Sequence, residues 1–464
     1  MTSVVESGRH PASFRDPAGF VFREAGSLRR AVTAYGLPHA RAVRDTGLIQ
    51  RLIASGRLWP EEEIAASLEG HPDVRLVLEH PPLPFVSYPY EWTFRALQAA
   101  ALLHLDIQLD SLDAGVMLTD ASAYNVQFVG AHPVFIDHLA FRPYRDGELW
   151  AAHRQFCEQF LHPLLLHSLV GVGFQPWYRG SVEGIPGEEI VRLLSWRQKL
   201  RWNVLTNLIA PVRLQRFAGR PSVERKVASA RLPKDRLREM FASLRRWIAE
   251  LTPEGLDATP WVAYDASVPE SESQAIAAFV GNFARQVSPA LLWDLGCNTG
   301  RYAEAALQAG ARYVVGLDSD AGALDGAFAR ARDRHLNLLP LLVDVVNPSP
   351  GQGWRGAERQ TLFERGRPNA LLAIAIVHHL VITRNVPLPE VVSYLTTTAP
   401  EGVVGFVPNT DKRARALFKG REEIFRDYTL DNFLALLTQR SRIVWQQPVP
   451  GSERTLLWFS TRPA

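Results

Sequence analysis

The chain has 464 residues, of which 47% are hydrophobic and 10% aromatic, a composition that excludes a disordered protein and allows sizeable buried cores. The net charge is only +3, and two cysteines, Cys157 and Cys297, are too few for a disulfide framework or a cysteine-based zinc cage. The first twenty residues contain no apolar stretch, and the longest apolar runs are far shorter than a membrane helix. We therefore expect two or three domains in a cytoplasmic protein without a secretory signal or a membrane span.

Residues 1–190 are predicted to form one α+β domain. Short runs rich in β-branched and aromatic residues predict strands, and apolar residues at helical spacing predict helices. In chain order these are two short strands within 19–32, a helix over 48–58, strands at 74–79 and 85–88, a long helix over 91–112, a short strand at 134–136 and a buried helix over 150–172.

A polar loop after the long predicted helix has the spacing of a kinase catalytic loop. Asp120 is followed five residues later by Asn125, and Asp137 follows a dozen residues after that. This spacing resembles kinase and aminoglycoside-phosphotransferase folds. The resemblance implies that Asp120 is a catalytic base and that Asn125 and Asp137 hold magnesium if the domain is active.

The same region departs from active kinases in three respects. No lysine precedes Lys199, no G-x-G-x-x-G loop is present, and Leu118 stands where a histidine is usual. Arg30 is the nearby candidate to replace the missing lysine, but its planar guanidinium is a poor geometric substitute. We therefore predict a kinase-like but inactive domain. The alternative is an unrelated α+β domain in which Asp120 caps a turn.

Residues 191–265 are predicted to form a basic helical connector. Between residues 192 and 246, fifteen lysines and arginines stand against three acids, which gives 15 − 3 = +12. Trp196, Trp202 and Phe217 lie among them, and such a stretch can bind the backbone of RNA or DNA. Nucleic-acid binding through 192–246 is therefore possible. We favour amphipathic helices whose arginines face solvent or the acidic remainder of the protein.

From residue 266 to the C-terminus, strands and helices alternate, which predicts a parallel sheet wrapped by helices. The last two strands are close in sequence and are expected to form an antiparallel pair at the edge of the sheet. The predicted elements are strand 291–294, a helix from 301, strand 313–318, a helix from 321, strands 339–344 and 370–377, a helix from 388, strand 403–407, a helix near 430–438, and strands 442–445 and 455–459.

The strongest signal in this region is the sequence 291–300, which reads Leu-Leu-Trp-Asp-Leu-Gly-Cys-Asn-Thr-Gly and precedes a helix. Its glycines let the backbone approach a ligand closely, and the helix start offers free N–H groups. Eighteen residues after Gly300, the next strand ends in Asp318. An acid at that point can accept hydrogen bonds from both hydroxyls of a ribose.

This D-x-G-C-N-x-G pattern with its second acid resembles the class I S-adenosylmethionine-dependent methyltransferases. The resemblance implies a Rossmann-like C-terminal domain over 266–464 with S-adenosylmethionine as cofactor. It assigns the methionine end of the cofactor to Asp294, Gly296, Asn298 and Gly300, the ribose hydroxyls to Asp318 and the adenine amino group to Asp344.

Two alternatives for this motif remain open. One is a dinucleotide site, but its G-x-G-x-x-G fingerprint is not matched by the spacing of residues 296–300. The other is an ordinary glycine-rich turn in an α/β domain, without a ligand.

Further segments resemble bacterial methyltransferases related to a nodulation protein. They are Asn347–Pro350, Gly353-Trp354, Glu358-Arg359, the strand ending in His378-His379-Leu380, and Phe406–Asp411. The likeness covers both halves of the chain, but it does not identify the methyl acceptor.

His378 and His379 are the candidate catalytic residues, because they end the predicted fourth strand at the edge where doubly wound sheets bind ligands. Imidazole titrates near neutral pH and can act as a general base. Alternation along a strand would direct one of the two towards the site. Both histidines serving only in packing is the alternative, and a local pair offers too few ligands for a metal site.

The sequence thus predicts methyl transfer from S-adenosylmethionine to an unidentified acceptor. Two alternatives concern the N-terminal half. It is either a non-catalytic kinase-like scaffold that recruits the methyltransferase, or the phosphoryl-transfer half of a bifunctional enzyme.

Overall fold

The computed structural model describes residues 8–463, apart from residues 25, 66, 67, 69, 216–229, 257, 258, 260, 262–267, 412 and 422. Its internal contacts divide the chain into two compact units. Unit 1 comprises Met1–Phe128, Pro133–Glu254 and Gly351–Gln360; unit 2 comprises Val129–His132, Gly255–Pro350 and Thr361–Ala464. In the part of the chain that the structure describes, no helix combines the length and the apolar character needed to cross a bilayer.

Unit 1 contains a four-stranded antiparallel sheet, two short two-stranded pairs and helices. The sheet has the order β1-β2-β4-β3, β5 pairs with β8, and β6 pairs with β7. The elements are β1 (Gly19–Glu24), β2 (Ser27–Thr33), α1 (Leu37–Asp45), α2 (Leu48–Ala54), β3 (Glu62–Ile64), β4 (Val74–His80), α3 (Phe94–Asp113), β5 (Val116–Leu118), β6 (Val126–Val129), β7 (His132–Phe135), β8 (Phe141–Pro143), α4 (153–170, α- and π-helical turns), α5 (Gln175–Gly180), α6 (Gly187–Leu193), α7 (Trp196–Lys199), α8 (202–215, α- and π-helical turns) and α9 (Lys234–Glu250).

The described part of the predicted connector up to residue 254 belongs to unit 1, whereas the prediction set it apart as 191–265. Its helix α9 packs on α3, because Leu237, Phe241 and the other apolar residues of one face are buried. Two of its arginines, Arg238 and Arg245, form ion pairs with acids of α3. The described arginines of α9 therefore lie partly against acidic residues, as the favoured interpretation expected. Residues 216–229, with Phe217, lie outside the described residues.

Unit 2 is an α/β unit around a seven-stranded sheet in the order β11-β10-β9-β12-β13-β15-β14. The elements are α10 (Glu270–Val287), β9 (Leu292–Leu295), α11 (Arg301–Gln308), β10 (Val314–Asp318), α12 (Ala321–Asp333), β11 (Leu338–Leu342), β12 (Ala370–Ala373), a π-helical turn (His379–Thr383), α13 (Leu388–Thr398), β13 (Glu401–Phe406), α14 (Arg415–Phe418), α15 (Leu430–Thr438), β14 (Arg442–Pro448) and β15 (Thr455–Ser460).

The predicted parallel sheet with an antiparallel edge pair is confirmed in unit 2. Strands β9 to β13 pair in parallel, whereas β15 runs antiparallel to both β13 and β14. Every residue of β9, β12 and β13 is buried. Strands covered on both faces have near-continuous apolar sequences, which is why these segments were recognisable.

Two predicted strands differ from the structure. The strand expected at 85–88 is wrong: both backbone polar groups of Ser87 bond to the side-chain amide of Gln127, at 2.9 and 3.0 Å, and not to a strand. The strand expected at 370–377 ends at Ala373. Ile374 and Val377 are buried beyond its end, so burial outside the sheet accounts for the rest of the apolar run.

We expect Gly405→Ala to destabilise unit 2. A Cβ atom at Gly405, in β13, would lie 2.0 Å from the carbonyl oxygen of Ile374, a backbone atom that cannot move aside without shifting the neighbouring segment. Such overpacking costs about 1–3 kcal/mol or more, which urea unfolding would measure. Gly326→Ala is the control, since its Cβ would meet only Thr299, at 3.9 Å. It should stabilise α12 by about 0.5–1 kcal/mol. Equal stability of the two variants would contradict the packing of β13.

Candidate active site

A cavity of about 290 Å³ lies at the carboxyl ends of the central strands of unit 2. The sheet runs from β9 through β10 to β11 in one direction and through β12 in the other. Doubly wound sheets bind ligands at such a switch point. The lining comes from the turn after β9, the ends of β10 and β11 and the segment after β12, together with Trp261 and Arg454. The cavity therefore gathers parts of the chain that are far apart in sequence.

The turn between β9 and α11 forms one wall of this cavity. Gly296 and Asn298 line it and have positive φ angles of 72° and 49°. Asparagine is one of the few residues that adopt this conformation readily. Here two hydrogen bonds hold Asn298: its N–H donates to Asp318 at 2.8 Å, and its Nδ2 donates to the carbonyl of Trp261 at 3.0 Å. The turn is thus fixed from two sides.

Gly300 was predicted to line the same cavity, but it lies behind the wall and is not among the lining residues. Its φ angle is 78°, and an added Cβ would lie 2.8 Å from a methyl group of Leu338. This glycine therefore permits the close packing of α11 against the sheet at a left-handed backbone position.

Asp318 and Asp344 both line the cavity, at the ends of β10 and just after β11. The Asp318 carboxylate accepts the N–H groups of Asn298 at 2.8 Å and of Asp320 at 2.9 Å. Burial nevertheless raises the pKa of Asp318. Asp344 forms an ion pair with Arg384 at 2.7 Å. Each carboxylate oxygen can accept two hydrogen bonds, so both side chains keep acceptor capacity towards a ligand.

Asp294 was also predicted to lie at the cavity, but it is buried and does not line it. Its carboxylate accepts the N–H of Ala303 in the first turn of α11. Burial, and next the nearby charge of Asp318, raise the pKa of Asp294 to about 7. The aspartate therefore supports the turn from behind.

The structure separates the two predicted catalytic histidines. His379 lines the cavity, in edge-to-face contact with the ring of Trp261 at 4.9 Å between centroids, whereas His378 is buried and does not line it. Neither lies on a strand, because β12 ends five residues earlier. Burial, and next the charge of Arg454, lower the pKa of His379 to about 4. At neutral pH its imidazole is uncharged and can accept a proton.

A buried group of charged residues, absent from the sequence predictions, adjoins the cavity. Arg454 lines the cavity although it is only 4% exposed. It lies 3.4 Å from Glu272 and 3.5 Å from Asp411, and Glu272 also pairs with Arg413. Buried charges require such pairing. These four residues come from three distant segments, so no local pattern could have identified them, and Trp261 was missed for the same reason.

Unit 1 brings together the three residues with kinase-like spacing. Asn125 Nδ2 donates to Asp120 at 3.1 Å. The N–H of Ile136 donates to the carbonyl of Asn125 at 2.9 Å, which brings the segment of Asp137 to this loop. Burial, and next the charge of Asp137, raise the pKa of Asp120. Asp137 forms an ion pair with Arg30 at 2.9 Å. Among the described residues, no set of three or more His, Cys, Asp or Glu side chains is arranged to hold a metal ion.

We expect Asp294→Asn to stabilise the protein increasingly as the pH rises. The raised pKa means that the folded state favours the protonated carboxyl. The group therefore lowers the stability once the pH exceeds the pKa that the carboxyl has in the unfolded chain. The cost grows up to the folded pKa and is constant above it. The melting-temperature difference, variant minus wild type, should become more positive between about pH 4 and about pH 8. Asp333→Asn, on the exposed end of α12, should show no such trend. A pH-independent difference for Asp294→Asn would contradict this interpretation.

No protein-family model matches the sequence. The chain is 43% identical, over 462 residues, to the nodulation protein NoeA of Rhizobium meliloti (strain 1021), covering 97% of this chain and 96% of that protein.

Among solved structures it resembles the N-methyltransferase NodS from Bradyrhizobium japonicum WM9, with a TM-score of 0.30, 12% identity and coverage of 45% of this chain and 99% of NodS. It also resembles the 16S rRNA methylase RmtB, with a TM-score of 0.29, 17% identity and coverage of 54% and 91%. At TM-scores below 0.5 these two likenesses assign neither fold nor function. The sequence identity does assign the family: the chain belongs to the NoeA family of nodulation proteins.

Proposed function

We propose that unit 2 transfers a methyl group from S-adenosylmethionine to an acceptor. One observation carries the proposal. The cavity at the switch point is lined by Gly296 and Asn298 of the first turn together with the strand-end acids Asp318 and Asp344. These are four of the six residues that the resemblance assigns to the cofactor, and all four border the same cavity.

The residues of the cavity fit such a cofactor chemically. Asp318 accepts the ribose hydroxyls, because its two oxygens keep acceptor capacity beside the backbone N–H groups of Asn298, Ser319 and Asp320. Asp344 accepts the adenine amino group. The Oδ1 atom of Asn298 is buried and has no partner among the described residues, so it can accept a hydrogen bond from the ammonium group of the methionine end. Asp294 and Gly300 serve the turn and do not contact the cofactor in this proposal.

His379 is the proposed base at the acceptor end. The bound sulfonium supplies an activated methyl group, so the protein has to align the acceptor and exclude water. His379 is uncharged at neutral pH and takes the proton that a hydroxyl loses on methylation, or that a neutral amine loses once its nitrogen carries the new methyl group. Trp261 packs against its ring and fixes its orientation. His378, which does not line the cavity, acts only through packing against His379, with 4.0 Å between the ring centroids.

A second candidate function concerns unit 1, as a kinase-like module that binds a nucleotide without turning it over. The ion pair between Arg30 and Asp137 is the observation behind it, because it brings the candidate replacement for the missing lysine beside the acid that the resemblance assigns to magnesium. Asp120 accepts hydrogen bonds from Asn125, Gln155 and the N–H of Ser122. A carboxylate held by three donors is poorly placed to act as a base.

We expect the purified chain to bind S-adenosylmethionine and its demethylated product, and Asp318→Asn to weaken both by at least about tenfold. The substitution removes the charge that strengthens hydrogen bonds to the ribose, each worth about 1.5–3 kcal/mol. Calorimetry measures the affinities. Asp333→Asn, an exposed change in the same unit, should leave them unaltered. If the folded wild-type protein binds neither ligand, the methyltransferase proposal is wrong. If the Asp318 variant binds with the affinity of the wild type, Asp318 does not bind the ribose hydroxyls.

We also expect no magnesium-dependent ATP turnover by unit 1, measured as phosphate release from the full chain. Arg30 already neutralises Asp137, and Asp120 is held by its three donors. ATP binding without turnover, detected by calorimetry with and without magnesium, would support the scaffold. Turnover that disappears in Asp137→Ala would instead establish a bifunctional enzyme, and the absence of any ATP binding would refute a nucleotide-binding module.

A further inference from the structure

Unit 1 exposes a set of large apolar side chains within 193–214, which we call the aromatic–basic surface. In this segment two tryptophans, Trp196 and Trp202, are 68% and 76% exposed. Three leucines of the same segment, Leu193, Leu200 and Leu214, are 44%, 64% and 54% exposed. Isolated exposed leucines are ordinary, but two tryptophans and three leucines exposed within 22 residues are a dense apolar set that calls for an explanation.

The charge of the same segment is entirely positive. Residues 190–215 contain Arg192, Arg197, Lys199, Arg201 and Arg213 and no aspartate or glutamate. All four of these arginines are exposed. The guanidinium of Arg197 lies 5.2 Å from the ring centre of Trp196. Cations and apolar side chains therefore alternate along one segment, with Glu250 as the acid that shares a cavity lining with Arg201 and Trp202. The complementary partner carries negative charge beside apolar groups.

The exposed side chains belong to helices whose other residues are buried. Val204, Leu208, Ile209 and Val212 of α8 are buried while Trp202 and Leu214 of the same helix are exposed. Helix α7 begins with a capping box between Ser195 and Gln198, and Gln198 also donates to the carbonyl of Leu169 in α4. Trp196 and Leu200 are four residues apart and so share one side of this helical turn. The exposure thus belongs to ordered, packed elements.

From these features we propose that the aromatic–basic surface binds the interface of an anionic lipid membrane. Tryptophan and leucine enter the boundary between headgroups and acyl chains, while arginine and lysine extend their charged ends to the lipid phosphates. A nucleic acid is the less suitable partner, because its bases stack on aromatic rings but offer nothing to three exposed leucines. This site lies in unit 1 and does not depend on the proposed methyl transfer.

Sedimentation with vesicles tests the proposal on the full chain. The wild type should bind phosphatidylcholine vesicles that contain phosphatidylglycerol, bind pure phosphatidylcholine more weakly, and dissociate as salt is raised. The double variant Trp196→Ser/Trp202→Ser should bind at least about tenfold more weakly. Its melting temperature should match that of the wild type, because both side chains are mostly exposed.

Trp354→Ser is the matched control, since this tryptophan of unit 1 is 66% exposed but lies outside the surface, and its binding should equal that of the wild type. Three results would overturn the proposal. They are the absence of wild-type binding to anionic vesicles, equal losses for the control and the double variant, and binding of a single-stranded RNA that is tighter than vesicle binding and lost in the double variant.

Discussion

The bond between the Asp318 carboxylate and the N–H of Asn298 joins the ends of two neighbouring strands and is the contact on which the cavity of unit 2 depends. It holds Asn298 in a left-handed conformation, and that conformation turns the chain away from β9 into α11. The same carboxylate accepts the N–H of Asp320. The side chain of Asp320 in turn accepts the N–H of Ala323 at the start of α12. One acid therefore sets the geometry of two strand ends and two helix starts.

Charge within unit 2 is arranged so that the charged groups at and behind the cavity wall are compensated. Glu272 and Asp411 compensate Arg454 and Arg413 inside the protein. For Asp294, burial instead favours the protonated carboxyl, as its raised pKa indicates. Arg454 acts on the cavity through its field, because its charge disfavours protonation of His379. The buried network and the neutral histidine are thus parts of one electrostatic arrangement.

The sheet of unit 2 and the positions of Gly296, Asn298, Asp318 and Asp344 were predictable because each is encoded within a few neighbouring residues. A buried strand, a glycine-rich turn and a strand-end acid leave local patterns. The position of Asp294 behind the wall was not predictable, since burial depends on how α11 packs over the turn. The end of β12 was missed because an apolar run looks the same in a strand and in a buried turn.

The parts assembled from distant segments left no local trace. Arg454 and Trp261 reach the cavity from either side of the motif, separated by nearly two hundred residues. In unit 1 the spacing of Asp120 and Asn125 indicated a shared loop. Arg30 was identified as the candidate replacement for the kinase lysine only because no lysine precedes Lys199, and its pairing with Asp137 appears in the structure alone. The connector was predicted as a separate segment because it is basic, helical and interrupted by prolines, whereas the buried apolar face of α9 decides where that helix packs.

Each unit contains a short segment whose neighbours in sequence belong to the other: residues 129–132 lie in unit 2, and residues 351–360 lie in unit 1. The segment 129–132 is linked to the rest of unit 2 by a hydrogen bond, in which the N–H of Gly130 donates to the hydroxyl of Tyr313 at 3.0 Å. Within 351–360, the carboxylate of Glu358 accepts hydrogen bonds from Nε and Nη2 of Arg15, at 3.1 and 3.0 Å. No single crossover in the gene can therefore pass on one unit intact without the other. A recombination event between residues 254 and 255 would therefore leave each product without one short segment of its unit.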